Sequence, residues 1–188
     1  IENSQTAASI LRAVTQALTR QARVDSHADE IEVNEILQES ILVVGGRLKH
    51  FDVDKTFGEL PKIAGRRSHI GQVFTNLLAN ACDAVAEKRD LANGTGKSFD
   101  GKIRVSTHGT LDGSEGVCII VADSGMGVPE NLRQKIFDAF FTTKPVGIGT
   151  GLGLSVCAEI IREHDGVMTV SSDEDLGGAR FEVWLPSE

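Results

Sequence analysis

The 188-residue sequence has no apolar run near the roughly 18 residues that a membrane-spanning helix needs. It opens with no charged and apolar leader of the secretory kind; a cytoplasmic location is expected, with any inner-membrane anchor of the intact protein upstream. Cysteine is scarce, and Cys82, Cys118 and Cys157 lie far apart in apolar company. They have no zinc spacing, and an odd number makes a poor disulfide framework. They read as buried thiols in a reducing compartment. Positive charge is also short, with a formal net charge of −8. A general nucleic-acid binder normally shows a basic face, so nucleic acid is not an expected partner. There is no internal repeat and no low-complexity tract. No initiator methionine is present, and the opening "IENSQTAASI" starts mid-pattern, which reads as a piece of something longer.

What is there suffices for a folded domain. Hydrophobic residues make up 40%, too many for a disordered chain. Ala7, Leu11, Val14 and Leu18 form a coiled-coil-like seam over residues 1–25, and an ordinary amphipathic helix would read the same way. A second amphipathic helix follows from about residue 33, with Val33, Ile36, Leu37, Ile41 and Leu42 on one face and Gly45 and Gly46 at its weakening end. Short strands are expected near residues 50–53 and 60–63. A strong helix then carries Ile70, Val73, Phe74, Leu77, Leu78 and Ala81 on its apolar face. "KIRVSTHG" alternates like a half-buried strand, and "GVCIIVAD" is a continuous β-rich run, hence a central strand. Residues 124–151 are rich in loop signals. A helix over residues 152–164 closes on Gly166 as a left-handed cap. "VMTVSS" and "ARFEVWLP" are two final strands joined by the "DEDLGG" turn. The expected architecture is α+β: a two-layer sandwich with a mixed, largely antiparallel sheet and helices on one face.

Two phosphate-binding motifs fail on spacing. "NGTGKS" resembles the end of a P-loop, but the required earlier glycine is Leu91, and the segment follows a helix rather than a strand. A mobile solvated loop is the better reading. No register of "GIGTGLGLSV" satisfies G-x-G-x-x-G, and Pro145 ahead of it suits a central strand poorly.

The remaining chemistry clusters in four stretches: "QVFTNLLANACDA", "DSGMGVP", "FDAFFTTK" and "GTGLGLSV". Asp123 ends a buried-looking strand. A carboxylate there accepts from the amino group of adenine, whereas guanine would offer it an oxygen. Gly125 lacks a Cβ and would let a base approach the backbone. A plain turn after a strand accounts equally for this stretch. Asn76 and Asn80 share a helix face, with Asp83 three residues on. Unpaired amides on such a helix would cost about 1–3 kcal/mol each, so they need partners; capping or solvated asparagines suit mid-helix badly. Lys144 precedes the glycines and can act as a point charge on a phosphate, or be a surface lysine. Phe137, Phe140 and Phe141 would anchor a lid, or simply pack in the core. Gly147 and Gly149 would hinge that lid. Gly151 and Gly153 would expose N–H groups at a helix start, where a phosphate is held.

In order and character these stretches resemble the N, G1, F and G2 boxes of bacterial sensor histidine kinases of the GHKL superfamily. The form "FFTTKPVGIGTGLGLS" is most similar to the nitrogen-regulator and dicarboxylate-sensor branch. The resemblance covers about residues 32–188. It implies the Bergerat ATP-binding fold, with residues 1–31 as a remnant of the dimerisation hairpin. It implies ATP and Mg²⁺ as cofactors, with Asn80 as the metal ligand. It also implies a nucleotide site of Asn76, Asn80, Asp83, Asp123, Gly125, Gly127, Val128, Phe137, Phe141, Thr143, Lys144, Gly149, Thr150, Gly151, Leu152, Gly153 and Leu154, in which Asn76, Asn80 and Lys144 act on the phosphates. Hydrolysing relatives carry a glutamate where this chain has Asn76. An amide cannot act as a base, which favours phosphoryl transfer over hydrolysis. The family's proline ahead of the paired phenylalanines is Ala139 here. None of the five histidines has the acceptor's surroundings. The implied partners are therefore ATP, a phosphoacceptor hairpin upstream, a response regulator receiver domain, and a second copy in a homodimer. A regulatory ATP-binding module and a GHKL ATPase are the alternative readings.

Overall fold

The computed structural model describes residues 29–109, 115–144 and 149–187. The helix expected over residues 1–25 lies outside them. The elements are β1 (Asp29–Ile31), α1 (Val33–Leu48), β2 (Asp52–Phe57), β3 (Ile63–Gly65), α2 (Arg67–Gly94), β4 (Lys102–Gly109), β5 (Gly116–Asp123), α3 (Gly153–Glu163), β6 (Val167–Ser172) and β7 (Ala179–Pro186). Two short 3-10 turns, Glu130–Leu132 and Lys135–Phe137, interrupt the loop after β5. Among the described residues no helix is long and apolar enough to cross a membrane.

The main sheet has five strands in the order β2-β4-β5-β7-β6. The β2–β4 pair is parallel and the other pairs are antiparallel. A small separate sheet pairs β1 with β3. Through this pairing β1, just ahead of the boundary expected at residue 32, lies against the unit that follows it.

Side-chain alternation explains the layering. Ile103 and Val105 of β4, Val117, Ile119 and Val121 of β5, and Phe181, Val183 and Leu185 of β7 all face the helices and join one core. Cys118, Ile120 and Ala122 point the other way and form a small cluster with Leu176. Because β5 is central it is buried along its whole length, as its continuous apolar run requires. The long helix α2 crosses the sheet. Its buried stripe of Ile70, Val73, Phe74, Leu77, Leu78, Ala81, Cys82 and Val85 recurs at three- and four-residue steps. Helices α1 and α3 pack against α2.

Four expectations need correction. α1 runs through Gly45 and Gly46 to Leu48, since neither glycine meets a neighbour and buried Leu48 anchors the last turn. Its inner face is Val33, Ile36, Leu37, Ser40, Val44 and Leu48, which leaves Leu42 on the outside at 78% exposure. The early strands occupy later residues than expected, at Asp52–Phe57 and Ile63–Gly65. After α3 the left-handed residue is Asp165 (φ 54°), not Gly166. Gly166 is needed for space: a Cβ there would lie 2.4 Å from the carbonyl oxygen of Trp184.

Candidate active site

A cavity of about 340 Å³ is walled by α2, the end of β5, the loop that follows it, the first turn of α3 and the start of β7. From α2 it receives Asn80, Ala84 and Glu87, spaced four and three apart on one helix face. Its apolar wall includes Val128, Leu132, Ile136, Phe141, Leu154 and Phe181.

At one side sits Asp123, the last residue of β5, only 2% exposed. Its Oδ1 accepts from the Gly125 N–H at 2.7 Å and from the Ala179 N–H at 3.4 Å. Both bonds fall on one oxygen, so the second is the one available to a ligand. Burial pushes this carboxyl up to about 6; the two N–H groups and Lys88 oppose that rise, and Asp173 adds to it. A Cβ on Gly178 would lie 2.6 Å from Oδ1, so this position must be glycine. Gly125 has a second reason to lack a side chain. A Cβ there would meet Ala84 at 2.6 Å, so the space is already filled by α2.

The segment before the glycines is tied to α3 through its backbone. Phe140 has φ 69° and is 63% exposed, so it does not anchor the lid. Phe137 and Phe141 do pack on the core. The Phe140 N–H donates to the Gly151 carbonyl at 2.9 Å. Gly151 has φ +66°, and a Cβ there would lie 2.4 Å from the Phe140 carbonyl carbon. Gly127 is also left-handed, at φ +72°. No side chain caps α3, and its first turn carries no acidic residue. Its N-terminal N–H groups and positive dipole end therefore sit beside Gly153 and Leu154 of the cavity wall.

Lys144 lines the cavity, and its Nζ lies 2.7 Å from Oδ2 of Asp83. The other oxygen of Asp83 pairs with Arg47 of α1.

The structure therefore gathers Asn80, Asp123, Gly127, Val128, Phe141, Thr143, Lys144, Gly149, Thr150, Gly151, Gly153 and Leu154 around one cavity. Asn76, Asp83, Gly125, Phe137 and Leu152 stand off its wall. The Asn76 amide instead reaches 3.5 Å to the Gly153 carbonyl and 3.5 Å to the Cys157 sulfur, tying α2 to the first turn of α3. Gly147 lies outside the described residues. Sequence reasoning missed Glu87, Lys88, Gly178, Ala179 and Phe181. The seven-residue step from Asn80 to Glu87 was available as a signal; the β7 residues had none.

The cysteines offer no nucleophile. Burial pushes Cys157 up to about 11 and Cys118 up to about 12. Among the described residues no three His, Cys, Asp or Glu side chains cluster as metal ligands.

The family described as histidine kinase-, DNA gyrase B-, and HSP90-like ATPase matches residues 65–188. The signal transduction histidine-protein kinase AtoS of Escherichia coli (strain K12) is 32% identical over 181 residues, covering 95% of this chain and 27% of that protein. The sensory histidine kinase/phosphatase NtrB of Azospirillum brasilense is 37% identical over 138 residues, covering 68% and 31%. The chain thus spans about a third or less of the length of these relatives. The catalytic domain of histidine kinase ThkA superposes with a TM-score of 0.67 at 30% identity, covering 85% of this chain and 95% of that domain. ThkA in complex with response regulator protein TrrA gives a TM-score of 0.70 at 26% identity, covering 98% and 49%. A cavity built from a strand-end carboxylate, a helix asparagine and a glycine-framed helix start thus sits on the fold of these domains. The chain belongs to the histidine kinase-, DNA gyrase B-, and HSP90-like ATPase family, as an ATP-binding catalytic domain of the sensor histidine kinase type.

Proposed function

We propose that this domain binds ATP with Mg²⁺ and directs the terminal phosphoryl group to a histidine on a separate dimerisation hairpin. An aspartate of a response regulator then receives it. The observation that carries this reading is the single cavity shared by Asp123, Asn80, Lys144 and the uncapped start of α3. Asp123 accepts from the adenine amino group. The N–H groups at the start of α3 hold phosphate oxygens. Lys144 leaves Asp83 for the terminal phosphate, where a positive charge offsets the negative charge spread over its oxygens. The attacking imidazole nitrogen bonds to phosphorus as the bond to the bridging oxygen of ADP breaks. The chain's share in this is positioning and charge stabilisation.

The residues fit Mg²⁺. Asn80 brings a hard amide oxygen to the cavity wall, and a small cation held mainly by phosphate and water needs no protein cage. When bound, the ion neutralises phosphate charge. Asn76, facing α3, sets the angle of that helix toward the phosphates. ThkA's structure with a response regulator supports a receiver domain as the partner here. The use of ATP supports a cytoplasmic location. A homodimer held by the hairpins is the proposed assembly.

Two measurements test the reading. Calorimetry should show that Asp123→Asn weakens ATP binding by at least about tenfold, as loss of a charge-assisted bond to the base implies; unchanged affinity overturns the adenine assignment. Radiolabelled ATP mixed with this chain and a separate cognate hairpin should label the hairpin's histidine. No label would favour a regulatory ATP-binding module. Robust ATP turnover abolished by Asn76→Ala would favour a hydrolase.

A further inference from the structure

The turn that presents Asp123 is held from behind. Lys88 lies on α2, one turn beyond Ala84, and its Nζ donates to the Ser124 carbonyl at 2.7 Å and to the Gly125 carbonyl at 3.0 Å. The ring of Phe99 lies 5.0 Å from the same ammonium. A helical lysine ordinarily extends into water; this one is drawn back onto a loop by two carbonyls and a ring.

We propose that Lys88 is a positioning residue for base recognition: through the Ser124–Gly125 peptide, its ammonium fixes Asp123 in place to accept from a purine amino group. The inference rests on the reading of Asp123 as the base-recognising residue.

The coupling runs through one peptide unit. Its carbonyl, from Ser124, accepts from Lys88. Its N–H, from Gly125, donates to Asp123 Oδ1 at 2.7 Å. A cation on the carbonyl draws electron density from the N–H and strengthens the bond that the N–H gives to the carboxylate. β4 grips the same turn from its other side. The Ser124 N–H donates to the Lys102 carbonyl at 2.9 Å, and the Lys102 N–H to Ser124 Oγ at 2.8 Å. Among the described residues Lys88 adds charge to that frame, whereas the Lys102 ammonium pairs outward with Asp52.

The charges around Asp123 make that contribution count. From the turn between β6 and β7, Asp173 opposes ionisation of Asp123. Asp173 is itself offset by Arg104 at 3.8 Å. From α2, Glu87 adds a second carboxylate to the cavity wall. Arg180, next to Ala179, is paired with Glu182 at 2.8 Å. Burial already pushes Asp123 up to about 6, and Lys88 is the cation that acts against it. Without Lys88, Asp123 would be substantially protonated closer to neutral pH, and a protonated carboxyl is a poorer acceptor.

The test is ADP binding to the whole 188-residue chain by calorimetry across the acidic and neutral range. Taking the ratio of variant to wild type at each pH cancels the ionisation of the nucleotide's own phosphates. Lys88→Met keeps the stem and loses the charge. It should weaken ADP by about threefold near pH 8, where only the hydrogen bonds are lost. Near pH 6.5 the loss should grow to about tenfold, because the carboxyl then also lacks the ammonium that opposes its protonation. Lys88→Gln keeps a donor without charge, so it shows the same pH-dependent loss even if the Met variant folds poorly. Lys88→Arg should restore affinity at every pH. A loss that is independent of pH, failure of arginine to rescue, or no loss at all overturns the role of Lys88. Wild-type affinity in Asp123→Asn overturns instead the base reading beneath it.

Discussion

Asp123 shows function set against stability within one residue. The folded chain raises its pKa from 3.8 to about 6, chiefly through burial. The native state therefore holds that proton more tightly than the unfolded chain does. Stability from this group is present below about pH 4 and is lost as pH rises through about 6. The shift of about two units sets a ceiling of about 3 kcal/mol on the penalty at neutral pH. Asp123→Asn should raise the melting temperature at pH 7 and leave it nearly unchanged near pH 4, while ATP affinity falls. A lower melting temperature at pH 7 would contradict this account. The glycines divide in the same residue-by-residue way. Gly151→Ala places a Cβ 2.4 Å from Phe140 backbone at φ +66°, so it should destabilise the chain by about 1–3 kcal/mol. Gly153→Ala meets nothing within 4 Å in the protein. In a helix it should be neutral or stabilising by up to about 1 kcal/mol. Denaturant titration of the pair distinguishes steric need from mere flexibility.

At the scale of elements, α2 carries two separate duties. One stripe, from Ile70 to Val85, is core; another, Asn80, Ala84 and Glu87, is cavity wall. The core stripe was legible because a 3.6-residue period repeats over about four turns. Leu78→Ala, fully buried at 0% exposure, should cost about 2–5 kcal/mol in a denaturant titration. Leu42→Ala on α1, at 78% exposure, should change stability by under about 0.5 kcal/mol. Equal costs would mean that the assigned inner face of α1 is wrong. Leu42 was read as inward because four apolar residues run together at 41–44, and periodicity cannot choose among neighbours. The neighbour that won is Val44, at 5% exposure. Likewise Gly45 and Gly46 carry a weak stop signal that the burial of Leu48 overrides, since tertiary packing outweighs propensity.

At the scale of the whole molecule, the site depends on long-range pairing. Antiparallel register sets Ala122 opposite Arg180, which brings Ala179 and Gly178 to the carboxylate of Asp123. One end of the cavity carries an ion-pair chain from α1 to α2 to the segment before the glycines: Arg47, Asp83, Lys144. These groups are a third to nearly half exposed, so each pair is worth at most about 1 kcal/mol. Asp83→Asn should accordingly change global stability by less than about 1 kcal/mol. It should nevertheless release Lys144 and speed amide exchange in residues 140–144 of the nucleotide-free chain. Unaltered exchange there would show that the pair does not hold the lid.

The sequence by itself determined the layers and the chemical kinds of group. Apolar periodicity and β-branched runs decide which faces are buried, and four short stretches specify two amides, a carboxylate, a lysine and glycines in order. Only the tertiary structure decided which of these meet. Asn80 lines the cavity and Asn76 turns to α3, although both lie on one helix face. Gly125 makes room for Ala84, while Gly178, marked in the sequence only as part of a turn, makes room for Asp123. Lys88 carries no local signal, and only the turn after β5 brings two carbonyls to it. The physical reason is common to all three: a side chain's partner is set by strand register and helix packing across tens of residues, and local pattern carries no record of either.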